Sequence, residues 1–172
     1  MKIILIIIQS LDGFIAKDQK DDLSWGSHED KVFFRTLTKQ LGTMIMGSNT
    51  YKKMPAFALG KRFSLVFTSQ PEILRPAKAE NIEFFKGTIK QALNYLEKKG
   101  IKNAALIGGG KINNQFLQAG LVDELYITVA PRIFAKGING FGENKLDMKL
   151  KLLDTRQLTQ DEILLHYQVL KE

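Results

Sequence analysis

Cysteine is absent from this sequence of 172 residues, and histidine occurs only twice, at His28 and His166. Without thiols the chain forms no disulfide, no thiolate zinc site and no cysteine nucleophile. The two histidines lie far apart in the sequence, so we expect no metal site. Any redox chemistry therefore requires a diffusible cofactor. The lack of cysteine is typical of a reducing compartment, and we expect a cytoplasmic protein.

Long hydrophobic runs are also missing. The segment Met1–Ile8 looks briefly like a signal peptide, but its apolar run is only six residues long, and Gln9 and Asp12 follow. No stretch approaches the roughly 20 apolar residues that a membrane helix needs. We therefore interpret the opening segment as a buried strand and expect no membrane partner.

Clusters of basic residues interleaved with aromatic residues are absent as well, although the formal net charge is +7. Lysine and arginine are scattered along the chain. This pattern favours an anionic cofactor or small-molecule substrate over nucleic acid as the binding partner.

The apolar segments that are present predict an α/β fold. Short, non-alternating apolar runs are typical of strands buried on both faces of a parallel sheet, and they occur at 2–8, 43–46, 63–67 and 104–107. Helical spacing of apolar residues occurs at 28–41, 89–96 and 111–119. Two β-rich segments without a clear helix between them, 124–133 and 162–170, predict an antiparallel pair. We expect one domain over residues 1–172, with three layers (αβα), a mostly parallel central sheet and an antiparallel C-terminal edge. The glycine-containing segment 135–144 is predicted to be a mobile, exposed loop.

Two glycine signals carry the strongest functional information. Met46–Thr50 and Ile107–Lys111 each end an apolar run and open a helix-like segment. Helix N-termini carry unpaired N–H groups, and glycine lets a backbone approach closely. Two such turns side by side would hold a dinucleotide diphosphate. The complete G-x-G-x-x-G pattern of a Rossmann fingerprint is absent.

Other candidate residues have a structural alternative. Asp30 stands one helical turn before Phe34, which suits a flat, protonatable heterocycle, but an acid at a helix start also complements the helix dipole. Trp25 is either a lid over the ligand or a staple of its loop. Thr50 is suited to phosphate binding and equally to helix capping. The pair Thr68 and Ser69 suits a phosphate or ribose and equally an ordinary turn.

Taken in order, the motifs resemble dihydrofolate reductase and its relative, the reductase domain of riboflavin biosynthesis. The resemblance runs nearly end to end, and it rests on Ser10–Ala16, Trp25 with Asp30 and Phe34, Met46–Gly47 with Thr50, Ser69–Pro71, Ile107–Gly110 and Leu125–Thr128.

The resemblance implies a role for each matching residue. Asp30 is implied to be the buried acid that hydrogen-bonds a pterin and assists protonation, with Thr128 as its bridging partner and Trp25, with Leu23, in a mobile lid. The implied substrate pocket is lined by Ile8, Phe34 and Leu37, and Arg62 is implied to hold a substrate carboxylate. The implied NADPH site comprises Ile15, Ala16, Gly47, Ser48, Asn49, Thr50, Thr68, Ser69, Gln70, Ile107, Gly108, Gly109, Gly110, Lys111 and Ile112.

The sequence shares features with both relatives. Arg62, in Leu59–Arg62, resembles the folate branch, and Met54–Phe57 lacks the Asn-Pro-rich stretch usual in the riboflavin branch. Ser10–Gly13 and Leu121–Leu125 are more similar to the riboflavin branch. Ser48 stands where many dihydrofolate reductases have an arginine, which leaves Lys111, Thr68 and Ser69 to recognise the adenosine 2′-phosphate.

The resemblance predicts a reductase. The leading expectation is NADPH-dependent reduction of 7,8-dihydrofolate to tetrahydrofolate. The alternative is reduction of 5-amino-6-(5-phosphoribosylamino)uracil in riboflavin biosynthesis, and a third possibility is a nucleotide-binding module without catalysis. The oligomeric state is left open between monomer and homodimer.

Overall fold

A computed structural model describes residues 1–75 and 79–171. Ten strands are present in this part of the chain: β1 (Lys2–Ser10), β2 (Phe14–Ala16), β3 (Thr43–Gly47), β4 (Phe63–Phe67), β5 (Ile82–Phe85), β6 (Asn103–Leu106), β7 (Glu124–Ala130), β8 (Ile138–Asn139), β9 (Leu150–Gln157) and β10 (Ile163–Val169). The α-helices are α1 (His28–Leu41), α2 (Ser48–Lys53), α3 (Ala56–Leu59), α4 (Ile89–Lys98) and α5 (Gly110–Gln118).

The central sheet has eight strands in the order β5-β4-β3-β6-β1-β7-β10-β9. The first six strands of this order, from β5 at the edge to β7, are parallel to one another. Strand β10 runs antiparallel to both β7 and β9. The predicted α/β class, parallel centre and antiparallel C-terminal edge are therefore confirmed. Two apolar clusters cover the two faces of the sheet, one around Leu5 and Phe116 and the other around Met44 and Tyr51.

The helix boundaries follow from local capping. Ser27 accepts a hydrogen bond from the Asp30 amide and begins α1, and Gly42 ends the helix in the left-handed conformation. Thr88 and Gln91 form a capping box at the start of α4. The three helices predicted from apolar spacing are all present within one or two residues of their expected bounds.

Several features differ from the expectations, and two of them, the edge strand β5 and the short helix α3, have no counterpart among the predicted elements. Strand β9 has no buried residue, so the sequence carries no alternating pattern that would reveal it. The two-stranded sheet of β2 and β8 is too short to give a periodic signal. The predicted mobile, exposed loop 135–144 is only partly exposed: it contains β8, and its Gly140 carbonyl accepts a hydrogen bond from the buried Asn113. Glycine at position 140 allows close packing here, and the mobility of the loop stays a prediction.

Within the described residues, no helix is both long and apolar enough to span a bilayer.

Candidate active site

Most of the predicted cofactor residues lie at the carboxyl edge of the parallel strands, whereas Arg62, directly before β4, lies at the opposite edge. The register pairs Gly47 at the end of β3 with Phe67 at the end of β4, and Ile8 of β1 with Thr128 of β7. Because parallel strands end at the same edge, the turns that follow β3, β4 and β6 lie side by side. In open α/β sheets this edge is where ligands bind.

The two glycine turns are in direct contact. The Gly47 amide donates to the Gly108 carbonyl over 2.8 Å. A Cβ placed on Gly109 would lie 3.6 Å from the Thr50 hydroxyl, and a Cβ on Gly47 would lie 3.1 Å from the Ile112 side chain. The peptide bond between Gly108 and Gly109 is cis. The spatial pairing of the turns that the sequence suggested is thus present.

The helices that start at these turns are capped differently from α1 and α4. Ser27 and Thr88 satisfy the first amides of α1 and α4 with side-chain oxygens. Gly47 and Gly109, which precede α2 and α5, provide no side-chain cap. The first N–H groups of α2 and α5 are therefore available to an anionic ligand, which fits the diphosphate of a dinucleotide.

The start of α5 is closely packed against the segment that carries β8. A Cβ on Gly110 would lie 2.1 Å from the Asn139 carbonyl oxygen, so only glycine fits there. Asn113 donates to the Gly140 carbonyl over 2.8 Å, while its own Oδ1 is buried without a hydrogen-bond partner. The Gln9 Oε1, which lies 3.8 Å from a Cβ built on Gly140, is likewise buried without a partner. Unsatisfied acceptors beside a glycine cradle are a further indication of a ligand site.

Asp30 is the acidic group of the site. It lies in the first turn of α1 and is only 9% exposed. Burial raises its pKa from the ordinary 3.8 to about 6, and the negative charge of Glu162 adds to this effect. The hydrogen bond from Thr128 and the positive charge of Lys31 oppose the rise in pKa without cancelling it. The carboxyl is thus able to exchange a proton near neutral pH.

The residues expected to line the substrate pocket lie on β1 and α1, the elements next to the Asp30 side chain. A Cβ on the buried Gly26 would lie 3.2 Å from the Ile8 side chain and 3.9 Å from the Asp30 carboxylate. Phe34 and Leu37 follow on α1 and are half-buried against the sheet. These residues form an apolar wall beside a protonatable group.

Trp25 is held in the loop that precedes α1. Its indole N–H lies 3.1 and 3.2 Å from the two Asp21 carboxylate oxygens, and its ring packs edge-on against Phe134 at 5.2 Å. The loop residue Leu23 is exposed and has a positive φ of 60°. The tryptophan therefore connects the loop to the segment after β7, and its role as a lid stays a prediction.

Arg62 occupies a different environment from the one its predicted role suggests. It is 7% exposed, and its guanidinium donates to the carbonyls of Ala58 and Leu59 and to the Thr38 hydroxyl. The arginine therefore joins α3 to α1. A substrate carboxylate would have to use the remaining N–H groups, so this role also stays a prediction.

The remaining predicted cofactor residues are distributed around the glycine turns. Thr68 follows β4, and its hydroxyl accepts from the Gln70 amide over 3.1 Å, which is an ordinary turn contact. Ser69, Gln70, Asn49 and Lys111 are exposed, while Ser48 and Ile107 are half-buried. Ile15 packs beside Gly140, and the carbonyl of Ala16 lies 2.4 Å from a Cβ built on Gly137. These placements allow the predicted contacts with a cofactor.

Sequence reasoning missed Glu162. This carboxylate lies in the turn between β9 and β10, is 3% exposed, and accepts a hydrogen bond from Ser27. It is 132 positions from Asp30 in the chain, so no local pattern could have connected the two acids. The one local signal is that Glu162 directly precedes the apolar strand β10, where an acid is unusual.

Comparison with known proteins places this site in a family. The model of the RibD C-terminal domain matches residues 1–164. The chain belongs to the RibD C-terminal domain family. The uncharacterized protein YwjB of Bacillus subtilis is 29% identical over 96% of this chain and 97% of its own length.

Solved structures share the fold of this RibD C-terminal domain. A protein from Shewanella sp. PV-4, provisionally assigned to riboflavin biosynthesis, has a TM-score of 0.85 at 23% identity and covers 99% of this chain and 100% of its own. The Thermotoga maritima diaminohydroxyphosphoribosylaminopyrimidine deaminase/5-amino-6-(5-phosphoribosylamino)uracil reductase has a TM-score of 0.81 at 17% identity, with 98% of this chain and 56% of that chain covered. Enterococcus faecalis dihydrofolate reductase, in complex with NADP(H), has a TM-score of 0.68 at 22% identity and covers 98% and 96%. These likenesses confirm the dihydrofolate reductase-like fold.

Proposed function

We propose that this protein is an NADPH-dependent reductase of a ribosylated aminopyrimidine of the type 5-amino-6-(5-phosphoribosylamino)uracil. One observation carries the proposal: two glycine-capped helix starts and a buried, protonatable Asp30 lie along one sheet edge in a chain of the RibD C-terminal domain family. The two helix starts suit the diphosphate of a dinucleotide, and Asp30 suits proton transfer to a heterocyclic substrate.

The residues that would hold the cofactor follow from the geometry. The amides at the starts of α2 and α5 would bind the diphosphate, with the Thr50 hydroxyl beside Gly109 as a further donor. Lys111 is exposed at the same end of α5 and would attract the adenosine phosphate. NADPH, when bound, supplies a hydride. Ile15, beside Gly140, would lie against the nicotinamide.

Asp30 would supply the proton that balances the hydride. Opening of the ribose ring would break its C1′–O bond and give a C1′=N imine with a free ribose hydroxyl; reduction of this imine places the hydride on C1′ and a proton on the nitrogen. A carboxyl whose pKa is raised to about 6 is partly protonated near neutral pH and can transfer a proton directly or through water. The Thr128 hydroxyl bonded to it would fix its orientation. Trp25 and its loop would exclude water from this step.

The family assignment supports the pyrimidine as substrate over 7,8-dihydrofolate, our leading expectation from the sequence. The Thermotoga maritima relative combines a deaminase and a reductase, and this chain aligns with 56% of it. Zinc-dependent deaminases of nucleobases use cysteine ligands, and this sequence contains no cysteine. The reductase is therefore the activity that the residues of this chain support.

The second candidate substrate, 7,8-dihydrofolate, is favoured by a separate observation. The Asp30–Thr128 hydrogen bond is the arrangement that the resemblance to dihydrofolate reductase implies for binding a pterin. Arg62 could bind the carboxylate of 7,8-dihydrofolate only through those guanidinium N–H groups that do not already donate to α1 or α3. The two candidates share one cofactor and one acid, and they differ in what lies beyond the heterocycle.

The test is a steady-state assay of purified protein with NADPH and each of the two substrates, followed by mass analysis of the product. We expect loss of reduced-nicotinamide absorbance and a gain of two hydrogens in the pyrimidine, with slower or no turnover of 7,8-dihydrofolate. Preferential turnover of 7,8-dihydrofolate would overturn the substrate assignment. NADPH binding without oxidation in the presence of either substrate would favour a non-catalytic nucleotide-binding module.

A further inference from the structure

The buried Glu162 is the strongest feature of the site that the proposed reaction does not yet use. The turn between β9 and β10 closes through its carbonyl, which accepts the Leu158 amide over 2.9 Å. This bond fixes the backbone at Glu162, and the residue as a whole is only 3% exposed. A carboxylate buried to this degree is rare unless it is hydrogen-bonded.

The partner of Glu162 is the residue that begins α1. Ser27 donates its hydroxyl proton to the Glu162 carboxylate, and the same hydroxyl oxygen accepts the Asp30 amide over 2.9 Å. A serine hydroxyl has one proton to donate, so its bond to Glu162 turns the oxygen lone pairs towards the helix amides. The C-terminal hairpin thereby fixes the cap that places Asp30.

We propose that Glu162 is a positioning residue for Asp30, acting through the Ser27 hydroxyl and through its own negative charge. The role rests on the proposed function, in which Asp30 supplies a proton. The Ser27 bridge holds the first turn of α1, and the charge disfavours ionisation of its neighbour, since two carboxylates in one buried site resist ionising together. The other groups that act on the Asp30 carboxyl are Thr128 of β7 and Lys31 of its own helix.

The experiment is a carbon-13 NMR titration of the Asp30 carboxyl, which does not require turnover. The Asp30→Asn variant assigns the signal. In Glu162→Gln the amide oxygen can still accept from Ser27 but the charge is gone, so the Asp30 midpoint should fall by about 0.5 to 1 pH unit. Asp161→Asn is the matched control, because Asp161 is an exposed acid of the same turn, and it should move the midpoint by less than about 0.2 pH unit.

The Glu162 carboxyl signal provides a second measurement that does not need the Glu162→Gln variant. If Glu162→Gln fails to fold, the Glu162 carboxyl of the wild-type protein is followed instead; its signal should show an inflection at the Asp30 midpoint that disappears in Asp30→Asn. An unchanged Asp30 midpoint in folded Glu162→Gln, an equal change in Asp161→Asn, or a Glu162 signal without that inflection would overturn the proposal.

Kinetics then separates this inference from the proposed function. If the reductase is active, the apparent pKa of kcat/KM should fall in Glu162→Gln in parallel with the Asp30 midpoint. A lower midpoint in a protein that turns over neither substrate would support the positioning role and contradict the proposed function. Turnover of a substrate together with an unchanged Asp30 midpoint would support the proposed function and contradict the positioning role.

Discussion

At the scale of single residues, burial of Asp30 couples the chemistry of the site to the stability of the fold. Its pKa in the folded protein is about 6, above the ordinary value of 3.8. Between about pH 4 and pH 6, the Asp30 carboxyl therefore keeps its proton in the folded chain and has lost it in the unfolded chain. The stabilisation is fully present below this window and is lost as the pH rises through the folded pKa.

The Asp30→Asn variant should remove this pH dependence. The difference between the two pKa values corresponds to about 3 kcal/mol, so the variant should gain up to about that amount over wild type between pH 4 and pH 7. Urea denaturation of both proteins across this range measures the difference. Glu29→Gln, at the exposed neighbouring position, is the control and should show no such trend. Parallel stability profiles for wild type and Asp30→Asn would contradict the raised pKa.

At the scale of elements, the proposed cofactor site depends on the starts of α2 and α5. Gly109 and Gly110 are neighbours with different surroundings. A Cβ on Gly109 would lie 3.6 Å from Thr50, an ordinary contact, whereas a Cβ on Gly110 would lie 2.1 Å from the Asn139 carbonyl. The first glycine keeps the cradle open, and the second allows the β8 segment to pack on α5.

Gly109→Ala and Gly110→Ala should therefore have different effects. We expect Gly109→Ala to fold with nearly unchanged stability and to weaken NADPH binding about tenfold, because the methyl group enters the cradle. Gly110→Ala should be destabilised by about 2 kcal/mol or more, because the β8 segment must move. Thermal unfolding and a fluorescence titration with NADPH separate the two. Equal NADPH affinity in Gly109→Ala and wild type would count against a cofactor at this turn.

Arg62 connects two elements and gives a prediction of its own. Its guanidinium reaches acceptors on α1 and α3 together, which a lysine ammonium cannot reproduce. Arg62→Lys should lower the free energy of unfolding by about 1 to 3 kcal/mol, whereas Arg35→Lys, at an exposed position of α1, should change it by less than about 0.5 kcal/mol. Chemical denaturation checks both. If Arg62→Lys also raised the KM for 7,8-dihydrofolate and not the KM for the pyrimidine, this result would support the predicted contact with a substrate carboxylate.

At the scale of the whole molecule, the sequence was most informative where local chemistry decides structure. Apolar runs revealed β1, β3, β4 and β6, and the glycine signals indicated two turns that do meet, through Gly47 and Gly108. Long-range features left no local trace. The fully exposed β9 has no apolar pattern, and Glu162 joins Asp30 only because the C-terminal hairpin folds back beside β7.

The same limit applies to the substrate. The sequence contains the acid, the apolar wall and the glycine turns, which the two related reductases share. Features of both branches occur together, with Arg62 on one side and Ser10–Gly13 on the other. We expect the choice between the two substrates to depend on side chains beyond Asp30 that come from several elements, so that no single motif reveals it. Family membership favours the ribosylated pyrimidine, and direct chemistry has to test it.

The most direct test of the account is transfer of deuterium from NADPH deuterated at the nicotinamide C4 to each candidate substrate, with wild type and Asp30→Asn in parallel. We expect one deuterium in the reduced ribosylaminopyrimidine with the wild-type protein. The rate should fall at least about 100-fold in Asp30→Asn, with NADPH affinity changed less than about threefold. Absence of deuterium from both products despite tight NADPH binding, or equal rates in the two proteins, would contradict it.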